Sequence, residues 1–149
     1  MARAKNAHQG IYTVKNREKY VGNKNPRYLS SYELNLFQWA DRSPAVIKWS
    51  AEQIVVPYYN PIKQRKARYI VDMYIKYKNR YGEIKEDLIE IKPDSETRPP
   101  KRGNKRIDIY EEQLATWYIN QAKWEAATIY AKERGWNFRI FTENHIFKG

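Results

Sequence analysis

The sequence predicts an α/β or α+β fold, helices packed on a sheet, with its elements in the order αβββαβ. Three observations lead there. Ser30-Ser31-Tyr32-Glu33 has the form of a capping box, and Leu34 and Phe37 follow it at helical spacing. Residues 46–91 are rich in β-branched and aromatic side chains and are divided by turn signals. From Asp108 onward apolar residues recur at three- and four-residue steps up to Gly135, after which NFRIFT reads as one more strand.

Residues 1–29 carry Arg3, Lys5, Lys15, Arg17, Lys19, Lys24 and Arg27 against one acid, Glu18, without a sustained apolar pattern. They are expected as a basic N-terminal arm ahead of a single domain over residues 30–149. Ser30 caps the first helix with Glu33 as its box partner. Leu34, Phe37 and Trp39 lie to one side of that helix, which runs to about Asp41 and is closed by Pro44. Residues 46–57 (VIKWSAEQIVVP) read as one or two strands ended by proline. A turn around Asn60-Pro61 leads through the basic stretch Lys63, Arg65, Lys66 and Arg68 into a strand over residues 69–77. Its tyrosines suit a sheet with one half-wet face. Residues 79–82 make the next turn and residues 84–91 the third strand, so the three strands form a meander. Residues 93–106 (PDSETRPPKRGNKR) are a loop by their prolines and Gly103, made cationic by Arg98, Lys101, Arg102, Lys105 and Arg106. Asp108 is placed to cap the long helix with Glu111 as its partner, and Lys132, Arg134 and Gly135 are its end signals.

Composition narrows the function classes. Lys and Arg number 28 against 17 Asp and Glu, a formal charge of +11, which favours a polyanion and above all nucleic acid as partner. No stretch approaches the roughly 18 to 20 apolar residues of a spanning helix, so no membrane is expected as partner. The first residues, MARAKNAHQG, lack the apolar core of a secretory signal. Without cysteine there is no disulfide, thiolate site or cysteine nucleophile, and His8 and His145 are too few for a histidine zinc centre.

The chemistry is expected where two strands carry acids. Side chains alternate along a strand, so Glu90 and Lys92 share one face of the third strand while Ile89 and Ile91 share the other. Asp72 interrupts the apolar and aromatic run of the strand before it, and pairing of the two strands brings Asp72 and Glu90 together. Close carboxylates repel; a hard divalent cation, Mg²⁺ or Mn²⁺, relieves that repulsion and also engages phosphate oxygens. Lys92 beside them is suited to orient water and to neutralise charge developing on a phosphate. The sum is metal-assisted phosphodiester hydrolysis. Each feature also has a plainer account: Glu-x-Lys on a strand is a common solvated pair, Glu33 is explained by helix entry alone, and Gln113, Asn120, Gln121 and Lys123 read as an ordinary exposed helix face.

Glu33 in a first helix, Asp72 in a strand and Glu90-Ile91-Lys92 in the next resemble the PD-(D/E)xK nuclease superfamily. The segments RYLSSYELNLFQWADRSPAVIKWSAEQIVVPYYNP, RYIVDMYI, LIEIKP and KWEAATIYAKERGWNFRIFTE resemble the N-terminal endonuclease domain of the TnsA type and, over residues 27–145, the head completion nucleases of T-even-like tailed phages. Val71 stands where the motif's name has proline. The resemblance implies a restriction-endonuclease-like core, a mixed sheet flanked by helices. It implies Asp72, Glu90 and the Ile91 carbonyl as ligands of Mg²⁺ (or Mn²⁺), Lys92 as the catalytic lysine and Glu33 as an auxiliary acid. The expected function is that of a Mg²⁺-dependent DNA endonuclease acting on packaged DNA before neck and tail attachment, in the host cytoplasm or the virion. Lys63, Arg65, Lys66, Arg68 and the cations of the 93–106 loop would hold the DNA backbone, with phage portal or neck proteins as further partners. The rival expectation is a non-catalytic DNA-binding protein of the head or neck.

Overall fold

In a computed structural model, which describes residues 9–146, order begins well before the first expected helix. Strand β1 (Gly10–Ile11) pairs antiparallel with β2 (Arg27–Tyr28), and Tyr12, Val14 and Tyr20 between them are buried. Residues 1–8 of the expected arm lie outside the described residues; from residue 9 the chain instead packs on the core. The sequence hides this because no repeating element does the work. Buried Asp41 accepts hydrogen bonds from the Tyr12 hydroxyl at 2.6 Å, Lys15 N at 2.8 Å and Asn16 N at 3.1 Å. The Lys19 ammonium donates to the carbonyls of Asp41 and Ser43, so a cation expected in a free arm meets a helix C-terminus.

Helix α1 spans Ser31–Arg42, with Ser30 as N-cap accepting from Glu33 N at 3.2 Å. Leu36, Phe37 and Ala40 form its buried stripe, whereas Trp39, expected on that side, is 46% exposed. The strands that follow are β3 (Val46–Ala51), β4 (Val55–Asn60), β5 (Arg65–Ile70), β6 (Met73–Lys78) and β7 (Ile84–Ile91). A short 3-10 turn (Asp94–Thr97) precedes helix α2 (Ile107–Glu133), strand β8 (Asn137–Phe141) and helix α3 (Glu143–Ile146). The central sheet has the order β3-β6-β7-β8, antiparallel except for β8, which runs parallel to β7. This is the expected mixed sheet flanked by helices.

Alternation along the strands divides the core in two. Trp49, Ala51, Met73, Ile75, Ile89 and Ile91 point toward α1 and the N-terminal segment. Leu88, Tyr74, Phe138 and Ile140 point the other way, against Trp124, Ala127 and Ala131 of α2.

The expected strand over residues 69–77 is two strands. β4 and β5 form a separate hairpin inserted between β3 and β6: the expected turn after Asn60 is its tip and holds Lys63, while Pro57 and Arg65, Lys66 and Arg68 lie in its strands. The chain leaves one sheet for the other at Val71-Asp72, where Val71 N donates to the Ile54 carbonyl and the Asp72 carbonyl accepts from Glu52 N. Asp108 does not cap α2. Arg106 holds the cap position without a side-chain bond, and Asp108, in the first turn, pairs with Arg106 at 2.8 Å. An acid there still suits the positive end of the helix. Gly135, at φ 76°, lies just past the helix end in the left-handed conformation that glycine permits. Among the described residues no helix is long and apolar enough to cross a membrane.

Candidate active site

The register of β6 against β7 pairs Met73 with Ile89, which sets Asp72, one residue upstream, beside Glu90. Asp72 Oδ2 accepts the Ile91 backbone N–H at 2.8 Å, so the acid at the strand break is fastened to the strand bearing its partner. Glu90 is buried, 6% exposed, on the face toward α2. Both its oxygens are held: Oε1 accepts from the Tyr69 hydroxyl at 2.5 Å, and Oε2 lies 3.5 Å from Lys92 Nζ. The alternation that puts Glu90 and Lys92 on one face and Ile89 and Ile91 on the other is therefore present.

Electrostatics tie a third acid to the pair. Burial, then the Glu90 carboxylate, push the Asp72 carboxyl well above the usual carboxylate range, with the Ile91 N–H opposing and Glu33 adding to the rise. Glu33 thus lies within the field of Asp72 although it belongs to α1. Its position comes from helix entry: the backbone of Glu33 donates to Ser30 Oγ while its Oε1 accepts from Leu29 N, one residue before the cap. Tyr69 is pushed strongly upward by burial and by Glu90, which keeps its proton available as a donor.

A divalent cation fits this donor set. Asp72 and Glu90 offer hard carboxylate oxygens close together, and burial followed by the neighbouring Glu90 charge raises the Asp72 carboxyl, a cost that a divalent cation would offset. No cluster of three or more acids, histidines or cysteines arranged for a metal occurs among the described residues. Two carboxylates completed by a carbonyl, waters and substrate oxygens is the usual environment of Mg²⁺.

Two residues at the site escape the sequence reading. Tyr69, grouped by the sequence with the tyrosines of a half-wet sheet face, is carried over Glu90 by the hairpin. Lys123, read as ordinary exposed helix, places its ammonium 5.6 Å from the Tyr69 ring centroid and 6.0 Å from that of Tyr58. Of its three companions in that reading, Asn120 is buried, Gln113 accepts from Lys105 Nζ and Gln121 is exposed. The only signal for Tyr69 was its place three residues before Asp72.

The expected DNA-holding cations fall into two groups. Lys63, Arg65, Lys66 and Arg68 are exposed on the β4–β5 hairpin. Arg98, Lys101, Arg102 and Arg106 are exposed before α2, with Arg98 paired to Asp94 and Arg106 to Asp108, while Lys105 is half-buried and donates to the Lys101 carbonyl. Such surface pairs hold their partners weakly and leave the charges able to meet phosphate.

Comparison with known proteins shows the family to which the chain belongs. Residues 43–143 match the family described as TnsA-like endonuclease N terminal, a span that includes Asp72, Glu90 and Lys92. The chain is also 37% identical, over 155 residues, to the head completion nuclease of Enterobacteria phage T4, an alignment covering 96% of this chain and 99% of that protein.

Proposed function

The chain belongs to the TnsA-like N-terminal endonuclease family, and from that premise we infer that it is a Mg²⁺-dependent DNA endonuclease of a tailed phage, acting on packaged DNA as the head is completed. The observation that carries the reading is the meeting of Asp72, Glu90 and Lys92 at the ends of two paired strands, in the field of Glu33. Asp72, Glu90 and Lys92 take the acid, acid and lysine places of the PD-(D/E)xK pattern, with Val71 in the place of its proline. In hydrolysis a water oxygen bonds to phosphorus while the bond to one sugar oxygen breaks, leaving a phosphate end and a hydroxyl end.

Asp72, Glu90 and the Ile91 carbonyl would hold Mg²⁺, which when bound supplies a more acidic water and positive charge beside the phosphate. Tyr69 keeps Glu90 in one rotamer through its hydroxyl. Lys92, its ammonium near Glu90 Oε2, orients the attacking water and offsets charge gathering on the phosphate. Glu33 supports the site as an auxiliary acid. Lys63, Arg65, Lys66 and Arg68 of the hairpin and Arg98, Lys101, Arg102, Lys105 and Arg106 before α2 meet the DNA backbone. Portal or neck proteins are the expected further partners, in the host cytoplasm or the virion.

Conversion of supercoiled plasmid to nicked and linear forms tests the reading. The parent should cut with Mg²⁺ or Mn²⁺ and stop with EDTA, and Asp72→Ala and Glu90→Ala should be inert while melting as folded proteins. Cutting by both variants at the parent's rate would remove the acids from the reaction.

A further inference from the structure

We propose that the outer face of the β4–β5 hairpin is the surface that seats duplex DNA, a rigid two-stranded ribbon entering the major groove; this deepens the nuclease reading and rests on it. Residues 55–70 contain four cations, Lys63, Arg65, Lys66 and Arg68, and no acid. Register sorts the ribbon into two faces. Val56 pairs with Tyr69, Tyr58 with Ala67 and Asn60 with Arg65 on the face turned to α2. There Val56 and Tyr69 are buried against Trp124 and Ala127, and Lys123 covers the Tyr58 and Tyr69 rings. Val55 with Ile70, Pro57 with Arg68 and Tyr59 with Lys66 make up the opposite face. No described element covers most of it: Tyr59 is 56% and Ile70 50% exposed, and Pro57, Lys66 and Arg68 are exposed as well.

Fastening on one face and exposure on the other make the ribbon stiff and available. Its strands are six residues each, about 20 Å long, and stand roughly 4.8 Å apart. With side chains that width suits a major groove about 12 Å across and exceeds a minor groove about 6 Å across. Lys66 and Arg68 then reach phosphates, while Tyr59 and Ile70 offer apolar contact to base edges without fixing a sequence.

The test measures binding apart from cutting, by fluorescence anisotropy in EDTA with a labelled duplex of about three helical turns and its single strand. Lys66→Ala with Arg68→Ala should weaken duplex binding on the order of tenfold and lower the slope of log affinity against log salt by about 2. Lys66→Gln with Arg68→Gln should behave alike, which guards against a folding artefact. Tyr59→Ala should weaken binding without changing the slope. Lys78→Ala with Lys132→Ala, the same charge removed from the end of β6 and the last turn of α2, should stay within about threefold of the parent. Arg65→Ala, on the face toward α2, should cost less than Lys66→Ala. A minor-groove ligand such as netropsin should leave binding intact, whereas bulky groups at the pyrimidine 5-position should weaken it. Equal loss in the Lys78–Lys132 pair, tighter binding of the single strand, or displacement by netropsin would overturn the assignment. Because Asp72→Ala is judged by cutting and the ribbon variants by binding, failure of one reading is visible apart from failure of the other.

Discussion

Asp72 is held where its charge is unwelcome. Burial and Glu90 raise its carboxyl above the unfolded value, so without metal, at a pH between those two values, the folded chain binds a proton there that the unfolded chain releases. The stability contributed by that proton is full below the ordinary carboxylate range and is lost as pH rises through the raised value. Asp72→Asn should therefore be more stable than the parent in EDTA at about pH 8 and nearly equal to it at about pH 4, as read from urea midpoints. Added Mg²⁺ should raise the parent's midpoint and leave that of Asp72→Asn nearly unmoved. Lys92 is tested through rate, because an ammonium is no metal ligand. Lys92→Ala should slow single-turnover cleavage by a barrier of about 2.7 to 4 kcal/mol, the cost of losing one preorganised charge-stabilising donor. A surface pair with Glu90 would be worth only about 0 to 1 kcal/mol of stability, so a rate within about threefold of the parent would leave Lys92 structural.

At the level of elements, Asp41 fastens the segment from Tyr12 to Asn16 onto α1. Burial alone would raise its carboxyl, but hydrogen bonds from Tyr12, Lys15 and Asn16 outweigh that and hold it below the usual range. Its contribution is thus present above the ordinary carboxylate range and fades as pH falls through the depressed value. Asp41→Ala should cost about 3 kcal/mol at neutral pH by denaturant unfolding, since bonds to a charged acceptor are worth about 1.5 to 3 kcal/mol each and do not simply add. A cost below about 1 kcal/mol would mean that Tyr12, Val14 and Tyr20 hold the segment by packing alone. Helix α1, the third strand, the end of α2 and the last strand were legible because periodicity, caps and turn residues act within a few positions. The N-terminal segment was not, because its anchors lie 25 to 29 residues away on Asp41. Nor was the break at Val71-Asp72: strand-forming side chains continue across it, Tyr69 and Ile70 before and Tyr74 and Ile75 after, and only the third dimension reveals that Tyr69 and Ile70 pair with β4 rather than with β3.

For the molecule as a whole, the charge of +11 works through particular patches. Replacing Lys101, Arg102, Lys105 and Arg106 with alanine should lower DNA affinity and flatten its salt dependence, by up to about one unit of slope for each side chain that meets a phosphate. Lys105 should contribute least, because its ammonium already serves the Lys101 carbonyl and Gln113. An unchanged slope would take this loop off the DNA path. Asp72, Glu90 and Lys92 could be read from the sequence because strand alternation and simple pairing suffice to gather them. Tyr69 and Lys123 could not, because they reach the site only once the hairpin has folded back onto α2.

The parallel strand β8 is the last of the sheet to leave the ribosome, yet Lys92 N donates to the carbonyl of Phe141 at its end. Residues 87–91 lie against residues 137–141 along their whole length, so a nascent chain lacking β8 presents its acids on an unfinished edge. Synthesis therefore imposes a delay: the strand that carries Glu90 is translated some fifty residues before the strand that braces it. A ribosome-stalled chain ending at residue 136 should resist neither protease nor urea around Glu90 and should leave plasmid uncut with Mg²⁺ present. Extension through residue 146 with a linker long enough to clear the exit tunnel should restore both properties. Cutting by the shorter stalled chain would mean that β6 and β7 assemble the site without their C-terminal neighbour.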